Sequence, residues 1–287
     1  ASFVFPRQVV KELARTGVTG FSGVPFHFNA LVSRGGFLDA DLPDLRWLTV
    51  TGGKLPAKAI NQILDQFPGV EFHIAYGQTE CAPRATALHP SKIRTKPDSV
   101  GAPIPDVEVL LLDDDGAATQ DGPGEVVIAG DNVMLGYWRD DDATAEVIDE
   151  QGRLHTGDIG RFDADGDLYL VGRKSAMIKS AGERIIPEEL ERVLEAHAGV
   201  SESVVVGAPD ALYGQRVVAH LLPPAAIADE GAFIDEVREH CLTRIPLARA
   251  PREYHVWTEF PRKVNGKPDR VAIAQAGPQQ EQTNDGE

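Results

Sequence analysis

The order of apolar segments in the first hundred residues restricts the fold more than any other feature of this sequence. Three apolar runs, VTGFSGV, LRWLTV and VEFHIAY, have the length of strands, and AKAINQILDQF between the last two has the period of an amphipathic helix. A strand, a helix and a second strand in that order favour a parallel sheet, because a crossover helix returns the chain to the same end of the sheet. We therefore predict an α/β layer over residues 1–105.

The pattern changes at about residue 106. Four short β runs, VEVLLLD, GEVVIAG, GRLHTGDIGRF and DLYLVGR, are separated by turn-forming clusters such as DADGD. They predict a small antiparallel barrel or sheet over residues 106–172. From residue 173 to 276, two helices and three strands alternate and predict a small α+β domain, whereas residues 277–287 are too polar to pack and predict a disordered tail. The fold class is therefore α/β plus α+β, with a larger domain over residues 1–172.

Composition excludes several classes of protein. The chain has 28 Lys and Arg against 44 Asp and Glu, a net charge of −16, which disfavours binding to nucleic acid or to an anionic membrane. No apolar run approaches the roughly 18 to 20 residues of a membrane span. Two cysteines far apart in sequence, Cys81 and Cys241, suit a reducing compartment, so we predict a cytoplasmic protein.

Four polar segments are candidates for chemistry. In the first, IAYGQTE, a buried strand runs into a loop that carries Tyr76, Thr79 and Glu80. Ligands bind at the carboxyl ends of strands in open α/β sheets, and an aromatic ring, a hydroxyl and a carboxylate there suit a base, a phosphate and a cation such as Mg²⁺. An ordinary exit from a strand into solvent explains the segment equally well.

The other three segments each have two interpretations. In LHTGDIG, Asp158 is placed to accept hydrogen bonds from ribose hydroxyls, or it belongs to a simple turn. In LVGRKSAMIKSAGERI, Arg173 ends a strand and precedes a hinge or an exposed hairpin. In FPRKVNGKPDR, Lys267 is a mobile ammonium able to reach a developing negative charge, or it belongs to a solvated basic loop.

Taken together and in this order, the motifs YGQTE, TGD, GRKSAMIKSAGERI and NGK resemble those of the adenylate-forming superfamily. That superfamily includes acyl- and aryl-CoA synthetases, firefly-type luciferases and the adenylation domains of nonribosomal peptide synthetases. The resemblance extends from about Val18 to Arg270. It implies that the chain is the C-terminal part of the large adenylate-forming domain followed by the small mobile domain.

The resemblance implies a role for each matching residue in the first part of the chain. Tyr76 is similar to the aromatic residue that stacks on adenine, Thr79 to the hydroxyl on the α-phosphate, and Glu80 to the Mg²⁺ ligand, with Gly77 in the same nucleotide-binding segment. Gly52 and Gly53, which begin GGKLP, resemble the glycine-rich turn beside the acyl and adenine pocket.

The resemblance also assigns residues further along the chain. Asp158 and Arg173 resemble the pair that holds the ribose hydroxyls, and Lys267 resembles the lysine that joins the substrate carboxylate and the α-phosphate. The loop around Gly182 is similar to the one that lines the pantetheine tunnel. In this family the small domain rotates between two half-reactions, about a pivot that is usually Asp or Lys. Here Ser175 or the adjacent Lys174 occupies that position.

One family motif is absent from these residues. The phosphate loop of the form SGTTGxPK does not occur, and neither does a Walker-type GxxxxGKS. We expect the C-terminal half of a longer or split enzyme, whose phosphate loop lies on a second chain or on a segment lost by proteolysis or cloning. A truncated relative that no longer adenylates is the other alternative. The chain by itself is expected to bind ATP poorly.

The resemblance predicts an ATP-dependent acid–thiol ligase that uses ATP, Mg²⁺ and coenzyme A, or the phosphopantetheine of a carrier protein, and releases AMP. The small substrate is a carboxylic acid, first adenylated to an acyl-AMP and then transferred to the thiol. Two alternatives remain open: an adenylation domain that loads an amino acid or acyl group onto a carrier protein, and a non-catalytic interaction module.

Overall fold

The computed structural model describes residues 3–113, 115–119, 122–263 and 267–276. These residues form two compact units, of which the first ends at Leu170 and the second begins at Val171. The predicted domain boundary after residue 172 stays a prediction. The predicted disordered tail, residues 277–287, lies outside the described residues.

The first unit opens with the predicted α/β layer. Its helices are α1 (Pro6–Thr16), α2 (Pro25–Ala30) and α3 (Ala57–Gln66), and its strands are β1 (Gly20–Gly23), β2 (Trp47–Val50), β3 (Glu71–Tyr76), β4 (Thr86–Leu88) and β5 (Ala102–Pro103). The sheet order is β1-β2-β3-β4-β5. β1, β2 and β3 are parallel, which confirms the predicted topology, and β4 and β5 continue the sheet in antiparallel pairing. Single helical turns cover Leu31–Gly35, Phe37–Asp39, Thr79–Cys81 and Pro90–Lys92.

Local chemistry accounts for the two longer helices of this layer. α1 begins with Pro6, whose fixed φ suits the first helical turn, and ends at Gly17, which adopts a left-handed φ of 59°. α3 buries Ile60, Ile63 and Leu64 on one face, as the crossover between β2 and β3 requires. These side chains pack on the strands around Phe72, which is fully buried.

A second sheet completes the first unit. It is formed by β6 (Val107–Leu112), β7 (Gly124–Gly130), β8 (Leu154–Phe162) and β9 (Leu168–Arg173), with α4 (Asp141–Val147) between β7 and β8. The boundary between the two units falls within β9, after Leu170. β6, β7 and β8 pair antiparallel, as predicted. The barrel alternative is wrong, because the described strands form an open four-stranded sheet, and four strands are too few to close around a packed interior.

The second unit is an α+β assembly around its own apolar core. Its strands are β10 (Ile178–Ser180), β11 (Glu183–Ile185), β12 (Glu202–Asp210), β13 (Gly214–Leu222) and β14 (Glu253–Val256), and its helices are α5 (Pro187–Glu195), α6 (Glu230–Leu242) and α7 (Arg270–Ala276). The sheet order is β11-β10-β13-β12, and β14 pairs with β13 in parallel. Leu190, Leu194 and Val237 bring α5 and α6 onto the sheet. Across the described parts of the chain, no helix has the length and apolarity needed to cross a membrane.

Candidate functional site

Two of the candidate nucleotide residues meet in the first unit. The hydroxyl of Tyr76, the last residue of β3, donates a hydrogen bond of 2.7 Å to Oδ2 of Asp158 on β8. Tyr76 also belongs to the apolar cluster of the second sheet, which includes Leu111 and Ile128. The end of a parallel strand in one sheet is therefore joined to the middle of a strand in the other.

Burial determines the protonation state at this contact. Tyr76 is 7% exposed and Asp158 is 6% exposed. Burial raises the pKa of the Tyr76 hydroxyl, and the negative charge of Asp158 raises it further, so Tyr76 remains a proton donor at neutral pH. The backbone N–H of Asp158 donates to Oγ1 of Thr156, which in turn donates to the carbonyl of Val126. The position of Asp158 is thus set by contacts on both its side chain and its backbone.

Gly77 follows Tyr76 at a point of close backbone approach. A Cβ at this position would lie 2.6 Å from the carbonyl of Pro83 and 2.7 Å from the nitrogen of Arg84. The chain turns back here, and the N–H of Ala85 donates to the carbonyl of Tyr76 at 2.7 Å. Glycine is therefore needed for the loop that carries the next two candidates.

Thr79 and Glu80 lie in the single helical turn Thr79–Cys81. Thr79 is exposed and Glu80 is partly exposed, so both present oxygen atoms at the surface of the first unit. Oε1 of Glu80 accepts a hydrogen bond of 2.7 Å from the hydroxyl of Tyr137. A carboxylate of this kind is a hard oxygen ligand and suits Mg²⁺, which usually takes one or two protein carboxylates together with water and substrate phosphates.

Gly52 and Gly53 lie at the same edge of the first sheet as Gly77. β2 ends at Val50, which is opposite Ile74 of β3, so the two loops leave adjacent parallel strands at their carboxyl ends. Both glycines have positive φ angles, 76° and 158°, and both are exposed. This edge is the position at which open α/β sheets bind ligands.

The remaining candidates belong to the second unit. Arg173 is exposed at the end of β9, and the predicted pivot residues Lys174 and Ser175 form a single helical turn directly after it. Gly182 lies in the two-residue turn between β10 and β11, where Ala181 and Gly182 have φ angles of 52° and 84°. Positive φ at both positions is typical of a tight hairpin turn. The exposed-hairpin interpretation is thus correct for this segment, and the hinge stays a prediction.

Lys267 is exposed on a loop that is closed by its own backbone. The N–H of Lys263 donates to the carbonyl of Lys267 at 2.9 Å, and the N–H of Asp269 donates to the carbonyl of Pro261 at 2.8 Å. Arg262 anchors the start of the loop through an ion pair with Glu202 on β12. The preceding residues of the NGK motif, 265 and 266, lie outside the described residues.

Sequence reasoning missed Tyr137, which contacts Glu80 from a position 57 residues away. No local pattern in the sequence pairs Tyr137 with Glu80, and only the backbone contact of Tyr137 is local. The N–H of Tyr137 donates to Oγ1 of Thr144 at 2.9 Å, so the loop before α4 is closed by a polar side chain one turn into that helix.

An acidic cluster elsewhere in the first unit is satisfied internally. Carboxylate oxygens of Asp163, Asp165 and Asp167 lie within 4.8 Å of one another, and Nζ of Lys96 lies 2.6 to 2.8 Å from all three. Although burial acts to raise the pKa of Asp163, hydrogen bonds from Lys96 and from two backbone N–H groups lower it to about 2. All three carboxylates are therefore already paired with the Lys96 ammonium.

Comparison with protein families gives two matches. Residues 1–138 match the family described as AMP-binding enzyme, and residues 189–267 match the AMP-binding enzyme C-terminal domain. The chain is 36% identical over 266 residues to a long-chain-fatty-acid–CoA ligase of Yersinia pestis, covering 91% of this chain and 46% of that protein. It is 34% identical over 263 residues to a feruloyl-CoA synthase of Amycolatopsis, covering 91% of this chain and 52% of that protein. The chain thus spans about half the length of these relatives.

The matches to solved structures also cover about half the length of the matched proteins. The amide bond synthetase McbA from Marinactinospora thermotolerans is 29% identical to this chain with a TM-score of 0.80. The match covers 94% of this chain and 54% of that protein. The o-succinylbenzoate CoA synthetase from Bacillus subtilis was solved with its acyl-adenylate intermediate. It is 27% identical to this chain with a TM-score of 0.79, and the match covers 97% of this chain and 55% of that protein.

Proposed function

The chain belongs to the AMP-binding, adenylate-forming enzyme family, and from this membership we propose that it acts in an ATP-dependent acid–thiol ligase. A carboxylate oxygen of the acid attacks the α-phosphorus of ATP, and pyrophosphate leaves. The thiolate of coenzyme A then attacks the carbonyl carbon of the acyl-AMP, the bond to the AMP oxygen breaks, and a thioester and AMP result. We propose the cytoplasm as its location, on the ground of its two free cysteines.

The single observation that carries this proposal is the hydrogen bond between Tyr76 and Asp158. It links two motifs whose contacting residues lie 82 positions apart, and nothing in the sequence of either motif requires contact with the other. A buried carboxylate, fixed by a neutral donor and by its own backbone, is suited to accept hydrogen bonds from the 2′- and 3′-hydroxyls of a ribose. We assign Asp158 that role and Tyr76 the role of orienting it beside the base.

Electrostatics explains why the remaining residues are needed. Two anions meet when a carboxylate attacks the α-phosphate, so the protein must supply positive charge and fixed positions. The Thr79 hydroxyl would donate to the α-phosphate, and the ammonium of Lys267 would neutralise charge on the attacking carboxylate during adenylation. Arg173 would donate to the ribose oxygens, and the glycines at positions 52 and 53 would allow the base and acyl group to approach the backbone.

Glu80 is the residue of this chain that would hold Mg²⁺. When bound, Mg²⁺ supplies positive charge to the triphosphate and to the leaving pyrophosphate. The Glu80 carboxylate would hold the ion while its Oε1 accepts the hydrogen bond from the Tyr137 hydroxyl. We propose that Gly182, in its exposed tight turn, lies beside the pantetheine arm of coenzyme A in the second half-reaction.

The substrate that we propose is a carboxylic acid, and the names of the relatives support this class. Their names indicate long-chain fatty acids and ferulic acid, and we propose an aliphatic or aromatic monocarboxylic acid for this protein. A carrier protein in place of coenzyme A, and a second chain bearing the phosphate loop, are proposals that rest on the motifs alone.

A second candidate acceptor is an amine. The similarity to an amide bond synthetase, with a TM-score of 0.80, favours it. The acyl-AMP would form in the same way, and an uncharged amine nitrogen would attack the carbonyl carbon to give an amide and AMP. The two candidates differ only in the second half-reaction, so a competition between coenzyme A and a primary amine for preformed acyl-AMP distinguishes them.

Exchange of labelled pyrophosphate into ATP tests the proposal. The complete natural polypeptide that contains this chain would be incubated with ATP, Mg²⁺ and a panel of fatty and aromatic acids. We expect acid-dependent exchange, and for Asp158→Asn a rise in the KM for ATP of about tenfold or more, because a hydrogen bond to a charged group contributes about 1.5–3 kcal/mol. Asp131→Asn is the matched control, because Asp131 is an exposed acid directly after β7, and it should leave the KM for ATP unchanged. Absence of exchange with every acid would overturn the proposal.

A further inference from the structure

Glu80 is held by a residue outside the four motifs on which the sequence analysis relied. The hydroxyl of Tyr137, in the loop between β7 and α4, donates to Oε1 of Glu80 at 2.7 Å. Tyr137 is 37% exposed, which places the contact at the surface of the first unit.

Backbone contacts hold the two loops in this relation. The N–H of Met134 donates to the carbonyl of Glu80 at 2.8 Å. The side-chain amide of Asn132 donates to the carbonyl of Cys81 at 3.2 Å. The loop that carries Tyr137 is therefore bonded along its length to the turn that carries Glu80, so the hydroxyl and the carboxylate have little freedom to separate.

The conformation of Tyr137 is specified from its other side as well. Its N–H donates to Oγ1 of Thr144, and that hydroxyl donates to the carbonyl of Asp140 at 2.8 Å. Oδ1 of Asp140 accepts from the N–H of Ala143 and begins α4. Gly136 has a φ of 147°, and a Cβ there would lie 3.0 Å from the Thr144 side chain. The contacts of Thr144 with Gly136 and Tyr137 thus fix the backbone conformation of this loop.

A hydroxyl donor on one carboxylate oxygen has a specific chemical effect. The hydrogen bond to Oε1 restricts rotation of the carboxylate, and Oε2 would remain available to a cation. Partners of metal ligands commonly act in this way, and their loss costs about 10- to 100-fold in metal affinity or activity. The geometry points to Tyr137 as a positioning residue that holds Glu80 in the orientation from which it binds the divalent cation of the metal–ATP complex. This inference rests on the proposed function.

Binding of Mn²⁺ in the presence of ATP tests the inference without turnover. Electron paramagnetic resonance of the complete natural polypeptide would measure the dissociation constant for Mn²⁺ as the ion is titrated. We expect Tyr137→Phe to weaken Mn²⁺ binding by about tenfold. Trp138→Phe changes an 86% exposed neighbour and should leave the constant unchanged. In steady-state assays, Tyr137→Phe should lower kcat/KM for the metal–ATP complex while the KM for the acid remains the same.

Two further comparisons separate positioning from a merely structural role. In a Glu80→Gln background, Tyr137→Phe should make no further difference to Mn²⁺ binding, because its effect passes through the carboxylate. Thr144→Val, which removes the acceptor of the Tyr137 N–H, should weaken binding in the same direction, whereas Thr144→Ser should retain it.

The outcomes are distinguishable. If the wild-type protein binds no Mn²⁺ with ATP present, the proposed nucleotide site is wrong, and the inference with it. If the wild type binds Mn²⁺ and Tyr137→Phe binds it equally well, or weakens binding by the same factor in the Glu80→Gln background, only the positioning role is overturned. Melting temperatures identify any variant that loses the fold. If Tyr137→Phe is one of them, the comparison of Thr144→Ser with Thr144→Val provides the test.

Discussion

The hydroxyl of Tyr76 lies 2.7 Å from Oδ2 of Asp158, although the two residues are 82 positions apart in sequence. Each comes from a different sheet of the first unit, and each is almost entirely buried. A buried carboxylate needs partners that compensate for its desolvation, and a protonated tyrosine is one that adds no charge. The contact therefore joins the two sheets and fixes a carboxylate that we assign to a ribose.

Tyr76→Phe should reduce both stability and nucleotide affinity. The phenyl ring remains in the apolar cluster of the second sheet, but the Asp158 carboxylate loses a hydrogen bond, which costs about 1–3 kcal/mol. We expect a lower midpoint in urea unfolding and a higher dissociation constant for AMP in calorimetry. Tyr213→Phe, in the second unit, is the matched control. Unchanged values of both quantities would show that the hydrogen bond has no energetic role.

Gly77→Ala should destabilise the loop that carries Thr79 and Glu80. The added methyl group would lie 2.6 Å from backbone atoms of Pro83, which cannot move without displacing the turn. We expect a loss of about 1–3 kcal/mol in the free energy of unfolding. Gly69→Ala provides the control, since a Cβ at Gly69 meets no atom within 4 Å. Equal stability of the two variants would mean that the loop adapts freely.

Lys267→Ala should separate the two half-reactions. Adenylation brings two anions together and needs the ammonium, whereas attack of a thiol on preformed acyl-AMP does not. We expect pyrophosphate exchange to fall by at least about a hundredfold, as for other single electrostatic groups, while thioester formation from added acyl-AMP is retained. Lys263→Ala, on the same loop, is the control. Equal loss in both half-reactions would remove this specific role from Lys267.

The second unit should lose stability in mild acid because of His220. This side chain is 2% exposed, and its Nδ1 accepts from the Trp257 indole N–H at 2.9 Å. Burial, and then the neighbouring His255, lower the pKa of His220 to about 4. The unfolded state takes up a proton near pH 6.5 and the folded state near pH 4, so stability falls as the pH decreases through that window, by up to about 3 kcal/mol.

His220→Gln checks this pH dependence, because glutamine retains an acceptor for Trp257 but does not titrate. We expect a flatter profile of unfolding free energy between pH 7 and pH 4 than in the wild type. Parallel profiles for the two proteins would assign the acid sensitivity to other groups, such as the pair of His255 with Glu253.

Much of the fold was predictable because its signals are local. The alternation of apolar runs predicted the parallel order of β1, β2 and β3, and the period of α3 identified the crossover. β4 and β5 were missed because strands of three and two residues carry no measurable period. The short helices α4 and α7 were missed for the same reason, since seven residues make only two turns.

The candidate site was predictable in its members and not in its contacts. Motif order identified Tyr76 and Asp158 separately, but only the packing of one sheet on the other brings the hydroxyl to the carboxylate. The Tyr137 hydrogen bond to Glu80 depends on a long-range arrangement of two loops, and nothing in either segment specifies its partner. Motif order therefore predicts the candidate residues, whereas the hydrogen bonds of Tyr76 and Tyr137 are visible only in the structure.

Transfer of oxygen from the acid to AMP tests the proposed reaction most directly. An acid that supports pyrophosphate exchange would be labelled with ¹⁸O in its carboxylate and incubated with the complete natural polypeptide, ATP, Mg²⁺ and coenzyme A, and the products measured by mass spectrometry. Attack of the carboxylate on the α-phosphorus predicts AMP that carries one ¹⁸O atom and pyrophosphate that carries none. Formation of the acyl product together with unlabelled AMP would contradict adenylation by this protein. Label in pyrophosphate or phosphate would contradict it as well.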